Sequence, residues 1–304
     1  MSDGSERFVD GPVTVDVPAT SANLGPGFDC LGLALDLHDT LTGEIVDSGL
    51  HIDIDGEGAE TLPRDERHLV VRAMHAAFEV LGVTPTGLRL HAGNRIPQSR
   101  GLGSSSAAIV GGLALARALV DGGAGALDDA ALLRLATRIE GHPDNVAPAL
   151  HGGFVVCGHD GADTWAVSAP VVPEISAVVF VPPGGVSTEL ARGLLPDQVS
   201  HAAAAANTGR AALLVAALAG ATDHLFRATE DFLHQDFRAP AMPESLALVS
   251  ALRADGLAAV VSGAGPTVLV LTADDPAPLA ARCPAGWASY RLGVDHTGVR
   301  VRTS

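Results

Sequence analysis

The sequence predicts an α+β fold of two domains. Two observations predict it. Strand-patterned segments gather in clusters with helical segments clustered after them, instead of alternating one for one. The 304 residues also exceed an average domain of about 150. Apolar residues make up 47% and charged residues 18%, a balance that supplies a packed core and argues against disorder. No repeat recurs at solenoid periods.

The first element, Val13-Thr-Val-Asp-Val17, alternates apolar and polar residues and reads as a half-buried strand. Residues 18–29 have no periodicity and read as a loop. Strands follow over 31–37, 44–46 and 51–55, so the opening is expected to be an antiparallel meander. Over 68–81, Leu69, Arg72/Ala73, Ala76/Ala77 and Val80 recur at helical spacing and Gly82 ends the run, which predicts a helix. A short strand is expected at 88–90, a loop at 97–103, and helices over 104–120 and 128–140, the second stopped by Gly141. Residues 152–156 and 165–167 are strand-like. Ala169-Pro-Val-Val-Pro173 is the expected boundary, giving domains 1–168 and 169–304. The second half then offers a strongly apolar strand at 175–181, helices at 187–194, 199–219 and 242–254, strands at 257–262 and 267–272 around a Gly-Ala-Gly-Pro turn, a helix at 275–282 and a strand at 287–292.

Charge and composition exclude whole classes of chemistry. Acids outnumber bases by 35 to 19, a net charge of −16, and the sequence holds no lysine. A Walker A loop, the strand lysine of protein kinases, Schiff-base chemistry and pyridoxal attachment are therefore excluded. An acidic chain without a basic run suits neither nucleic acid nor an anionic membrane. Cys30, Cys157 and Cys283 are odd in number and widely spaced, as in a reducing compartment, and a cytoplasmic location is expected. The opening Met-Ser-Asp-Gly-Ser-Glu does not read as a signal peptide. The uncharged run 256–273 is broken by Gly263, Gly265 and Pro266, so it reads as two strands and a turn.

The most informative segment is Pro97-Gln-Ser-Arg-Gly-Leu-Gly-Ser-Ser-Ser-Ala-Ala108. Gly101 and Gly103 allow a tight turn and close backbone approach to a ligand. The helix starting at Ser104 points free N–H groups into that turn, which makes an anion site suited to phosphate. A serine hydroxyl there could also ligate magnesium. Three other readings stand beside this one. A dinucleotide fingerprint would place glycine at Ser106, and Ile96-Pro97 interrupts its leading strand. A hydrolase elbow fails at Ala107. A plain glycine-serine loop can simply cap a helix.

Two further segments carry polar groups suited to a small substrate. Pro18-Ala-Thr-Ser-Ala-Asn-Leu-Gly-Pro-Gly-Phe-Asp29 offers Asn23 and Asp29 to an ammonium or hydroxyl group. The plainer alternative is a turn whose side chains cap its own backbone. Glu140-Gly-His-Pro-Asp-Asn-Val-Ala-Pro148 offers Glu140 to a magnesium ion, while Asp144-Asn145 could equally start a helix and His142 serve local hydrogen bonding. The turn Ser262-Gly-Ala-Gly-Pro-Thr267 could bring backbone and Thr267 against a ligand.

Taken in order, Pro26-Gly-Phe-Asp29, the 97–108 loop and the 262–267 turn resemble the three motifs of the GHMP kinase family. The 18–29 and 140–148 segments resemble the homoserine kinases within it. The resemblance implies an α+β fold of two domains, a ribosomal-S5-like α/β domain followed by a ferredoxin-like α+β domain. It implies Mg2+-assisted transfer from ATP to the side-chain hydroxyl of L-homoserine, giving O-phospho-L-homoserine on the way to threonine, in a cytoplasmic enzyme able to form a homodimer. ATP would meet Pro97, Gln98, Ser99, Arg100, Gly101, Leu102, Gly103, Ser104, Ser105, Ser106, Ala107 and, on the adenine side, His68, where the family usually has asparagine. Ser104 and Glu140 would hold magnesium. Asn23, Asp29, Asn145 and Thr267 would contact the substrate, with Arg192 and Arg238 gripping its carboxylate as guanidinium forks do. Asp29, Glu140 and Asn145 would be the catalytic groups, without the aspartate–lysine pair that other family members use.

Overall fold

The structure, a computed structural model, describes residues 7–161 and 163–302. The reading of the opening hexapeptide lies outside the described residues. β1 (Val13–Asn23) and β2 (Gly27–Ile45) form a long antiparallel pair. The stretch 18–29 is therefore not a loop: it is strand on both sides of the short connection Leu24-Gly25-Pro26. Register shifts at Pro18/Ala19 and Ala22/Asn23 absorb what broke the alternation, because a bulge accepts a residue that cannot donate to the ladder and moves the side-chain phase. The chain then reverses through left-handed Asn23 (φ 67°) and Leu24 (φ 51°).

The expected meander is also corrected. β3 (Gly49–Gly56) does not return against β2. The crossover helix α1 (Leu69–Leu81) follows it, and β4 (Gly87–Asn94) then inserts between β2 and β3. β3 pairs with β4 in parallel, the arrangement a helical crossover permits. α1 begins at His68 and ends at left-handed Gly82 (φ 65°), as its pattern predicts. α2 (Ser104–Leu119) packs closely on it. A Cβ on Gly112 would press on the Val70 carbonyl, so glycine there sets the spacing between the helices.

After the short α3 (Gly123–Ala126), α4 (Asp129–Glu140) is capped by Asp128, whose carboxylate accepts the Ala131 N–H at 2.7 Å, and stopped by Gly141. The segment that follows is α5 (Pro143–His151), with Asp144 in its first turn, as the reading of Asp144-Asn145 as a helix start allows. Pro143 occupies the first helical position, where no N–H is needed. Pro148, inside the helix, removes one bond without ending it. The hairpin β5 (Phe154–Asp160) and β6 (Asp163–Ala169) joins the same sheet through the first part of β2.

β7 (Ser176–Val181) opens a second, four-stranded antiparallel sheet. α6 (Thr188–Gly193), α7 (His201–Leu218), α8 (Leu225–Ala228) and α9 (Pro243–Ala254) lead to β8 (Ala258–Val261), β9 (Val268–Thr272) and β10 (Ala288–Gly293). The helix expected near 275–282 is a 3-10 turn, Ala277–Arg282. Both faces of this sheet are covered. Val179 and Val181 join the main core with Leu214 and Leu218 of α7, while Val178 and Phe180 pack with Val249 and Leu252 of α9. The chain then returns to the first sheet, where β11 (Arg300–Val301) pairs with β1. Arg302 donates to both oxygens of Asp16 at 2.6 and 2.7 Å there.

Candidate active site

One cavity of about 380 Å³ gathers residues from the first sheet and its helices and from the loops and helices of the second half of the chain. That volume lies in the range of small-molecule sites. Asp39, on β2, starts its construction. Its carboxylate accepts the backbone N–H groups of Arg95 (2.6 Å) and Ile96 (2.9 Å) and so turns the chain from β4 into the glycine loop. Burial raises the Asp39 pKa to about 6 against the pull of those two bonds.

The loop is fastened from two directions. The Thr20 N–H donates to the Leu102 carbonyl at 3.1 Å. The Ser262 hydroxyl donates to the Gly101 carbonyl at 2.6 Å, and the Thr267 N–H donates to the Arg100 carbonyl at 3.2 Å. Gly101 (φ 75°) and Gly103 (φ 70°) are left-handed. A Cβ on Gly103 would collide with the Thr20 hydroxyl, so glycine is required by shape as well as by φ. Beyond Gly103, α2 has no side-chain cap, and its first N–H with a backbone partner is that of Ala107, on the Gly103 carbonyl. The amides of Ser104, Ser105 and Ser106 precede that first bond, as an anion site requires.

Glu140, at the end of α4, accepts both the Ser105 hydroxyl (2.7 Å) and the Ser106 hydroxyl (2.8 Å) on one oxygen. Ser104 lines the same cavity but makes no such bond with Glu140. A carboxylate beside serine hydroxyls is a hard-oxygen donor set and fits magnesium. A second carboxylate, Asp144, is 1% exposed and lines the cavity. His142 lies 2.6 Å from it through Nδ1. Burial opposes the imidazolium, but Asp144 and then Glu140 outweigh burial and raise the His142 pKa. The Asn145 side-chain oxygen accepts the Thr20 hydroxyl at 2.8 Å.

Asn23 spends its amide on backbone: Nδ2 donates to the Gly263 carbonyl (2.9 Å) and Oδ1 accepts the Asp29 N–H (3.1 Å). Asp29 is held in the left-handed region (φ 58°). Its carboxylate is gripped by both terminal nitrogens of Arg192, at 3.0 and 2.5 Å. Arg238 is 1% exposed, and its hydrogen bonds go to neutral acceptors. These are the Ala191 carbonyl (3.3 Å), the Gly263 carbonyl (3.0 Å) and His234 Nδ1 (3.1 Å). Because Nδ1 accepts from a guanidinium, the His234 proton sits on Nε2, which donates to the Gly25 carbonyl at 2.7 Å. Burial, and then the like charge of Arg192, bring the Arg238 pKa down to about 10.

His68 is 3% exposed, lines the cavity with Leu62, Leu69 and Val70, and leaves both ring nitrogens without a partner. Burial, and then Arg64, lower its pKa, so it is neutral at pH 7. An apolar recess with an unpartnered donor–acceptor ring suits a nucleobase, as the loop amides suit its phosphates.

The structure thus brings together in one cavity Asn23, His68, Gln98, Ser99, Arg100, Gly101, Gly103, Ser104, Ser105, Ala107, Glu140, Asn145, Arg192 and Arg238, and Asp29 joins them through Arg192. It does not bring Pro97, Leu102, Ser106 or Thr267 to the cavity wall. Leu102, Ser106 and Thr267 are fully buried behind it. Arg100 is on the wall, but its guanidinium is tied to the carbonyls of Gln98, Pro182 and Pro183, clasping the loop to the segment after β7. Sequence reading missed Thr20, Asp39 and His234, and took Asp144 only as a helix start. Only His234 left a signal, a histidine four residues before Arg238.

Comparison with known proteins points the same way. Residues 68–153 match the family model described as GHMP kinases N terminal domain, and residues 209–287 match GHMP kinases C terminal. A homoserine kinase of Streptomyces avermitilis is 59% identical over 290 residues, covering 95% of each chain. Among solved structures, a homoserine kinase from Cytophaga hutchinsonii superposes with a TM-score of 0.84 at 28% identity, over 96% of this chain and 97% of that one. A putative homoserine kinase from Listeria monocytogenes superposes at 0.76 and 30% identity, over 96% and 99%.

Proposed function

Because this chain belongs to the GHMP kinase family, we propose that it transfers the γ-phosphoryl group of ATP to the side-chain hydroxyl of L-homoserine, giving O-phospho-L-homoserine. The observation that carries the substrate class is the buried Arg238 guanidinium, which no described carboxylate pairs with, beside Arg192 in the cavity that also holds the glycine loop. Two guanidinium forks are built for a carboxylate. A sugar or isoprenoid alcohol without one would leave Arg238 buried with no carboxylate to pair with, at a cost of several kcal/mol.

The residues then divide the work. The amides of Ser104 and Ser105 and the α2 dipole hold the triphosphate. Arg192 and Arg238 hold the α-carboxylate. Asp29 and Asn145 face the amino and hydroxyl ends and orient the hydroxyl toward the γ-phosphorus. Glu140, with the serine hydroxyls around it, would hold magnesium, which supplies charge neutralisation to the phosphates when bound. With no lysine in the chain, no aspartate–lysine base exists. Positioning and electrostatic stabilisation carry the reaction, as phosphoryl transfer permits. The cytoplasmic location and the homodimer belong to the same proposal; among the described residues no helix is long and apolar enough to cross a membrane.

A coupled ADP-release assay with Mg-ATP over L-homoserine, L-serine, mevalonate and sugar alcohols tests it. Turnover of L-homoserine well above the others is expected. Turnover of an uncharged alcohol with L-homoserine inert would overturn the substrate assignment, and no turnover of any alcohol would overturn the activity.

A further inference from the structure

Phe28 precedes Asp29 at the start of β2 and is half-buried. The guanidinium carbon of Arg192 lies 5.4 Å from its ring centroid and that of Arg238 lies 5.6 Å from it. The His234 ring, which accepts from Arg238, is 5.2 Å away and tilted by 32°. One aromatic ring therefore meets both cations of the carboxylate grip and the imidazole that supports one of them.

The arrangement answers a physical problem. Arg192 and Arg238 carry like charges close enough for the first to disfavour protonation of the second. Arg238 has only neutral hydrogen-bond partners. Arg192 is matched by Asp29, but a substrate ammonium group competes for that carboxylate. Once Asp29 turns to the substrate, the ring still faces both guanidinium groups, with only the longer-range attraction of Asp144 on both and of Asp231 on Arg238 beside it. The face of an aromatic ring attracts a cation within about 6 Å, and more strongly where water is excluded.

We propose that Phe28 is a positioning residue that holds Arg192 and Arg238 as one carboxylate-binding pair through its ring face, and so sets affinity for an α-amino-acid alcohol without touching it. The proposal rests on the reading of the two arginines as the carboxylate grip.

Fluorinated phenylalanines separate electrostatics from packing, because fluorine drains the negative ring face while nearly preserving its shape. Position 28 is replaced in turn by 4-fluoro-, 3,5-difluoro- and 3,4,5-trifluorophenylalanine, and KM and kcat are measured for L-homoserine and for ATP. The KM for L-homoserine is expected to climb at each step, reaching about ten-fold with three fluorines, with the ATP KM and Tm unchanged. Phe28→Leu should weaken L-homoserine at least as much. A fluorinated series indistinguishable from the parent, with Phe28→Leu still impaired, would reduce Phe28 to packing and overturn the proposal. So would an ATP KM rising in step. A parent enzyme inert toward L-homoserine overturns the underlying assignment itself, and is recognised before any variant is compared.

Discussion

A guanidinium buried to 1% exposure with only neutral acceptors around it is an unfinished electrostatic arrangement. Arg238 reaches that state because β2, α6 and the 262–267 turn converge on it. Its partners Ala191 and Gly263 lie far from it in sequence, so its burial is not visible in any local pattern. A substrate carboxylate completes it. Arg238→Ala is expected to raise the KM for L-homoserine about a hundred-fold, the equivalent of about 2–3 kcal/mol for a charge-assisted bond, with the ATP KM within about two-fold. Equal effects on both substrates would contradict the role. At Glu140, Gln preserves an acceptor for the Ser105 and Ser106 hydroxyls but removes the charge. Glu140→Gln should therefore lower kcat by about ten-fold or more and shift activity to higher magnesium. A magnesium titration that superposes on the parent's would remove Glu140 from the ion. Glu140 and the two arginines could be singled out in the sequence because their chemistry is intrinsic. Asp39 and Thr20 could not, because the partners that give them their roles, Arg95 and Ile96 for the first and Leu102 and Asn145 for the second, are brought to them only by the fold.

The phosphate loop illustrates how an element is shaped by both neighbours and φ. Gly103 and Gly122 have nearly the same left-handed φ, 70° and 68°, but a Cβ at 103 meets Thr20 and Asn145 while one at 122 meets nothing within 4 Å. Gly122→Ala is expected to cost about 1 kcal/mol of stability from backbone strain alone and to leave kinetics intact. Gly103→Ala should add a displaced Thr20–Asn145 contact and raise the ATP KM by about ten-fold or more. Steady-state kinetics and urea unfolding of the two variants check this, and matching kinetic losses would show that φ alone matters. At this scale the sequence is partly transparent. The caps at Asp128, Gly82 and Gly141 and the apolar spacing of α1 mark those helices from local chemistry. The proline- and glycine-rich stretches mislead. Residues 18–29 look like a loop because two bulges scramble the period of a true strand, and α5 is masked by prolines at positions a helix tolerates.

The whole molecule depends on pairings that no window of sequence contains. β3 lies parallel to β4 because α1 crosses between them, β11 closes on β1 from the far end of the chain, and the 262–267 turn reaches the glycine loop. The division into strand-rich and helix-rich stretches is legible; the order of strands in the sheet is not. Asp39 joins this architecture to pH. Its folded pKa of about 6 stands above the 3.8 ordinary for an aspartate, so between these values the folded state holds a proton that the unfolded state has lost. Its contribution to stability is full below about pH 3 and is lost as pH rises through 6. The stability of the parent relative to Asp39→Asn should therefore fall by roughly 3 kcal/mol from pH 3 to pH 7. Urea unfolding of both proteins at the two pH values measures it, and a constant difference would show that Asp39 titrates normally.

The most direct measurement is a crystal structure with a non-hydrolysable ATP analogue, magnesium and L-homoserine. The β- and γ-phosphates should accept from the amides of Ser104 and Ser105, and the amino-acid carboxylate should lie within hydrogen-bond distance of Arg192 and Arg238. Triphosphate bound away from the α2 N-terminus, or a homoserine carboxylate turned away from both arginines, would contradict the proposed site.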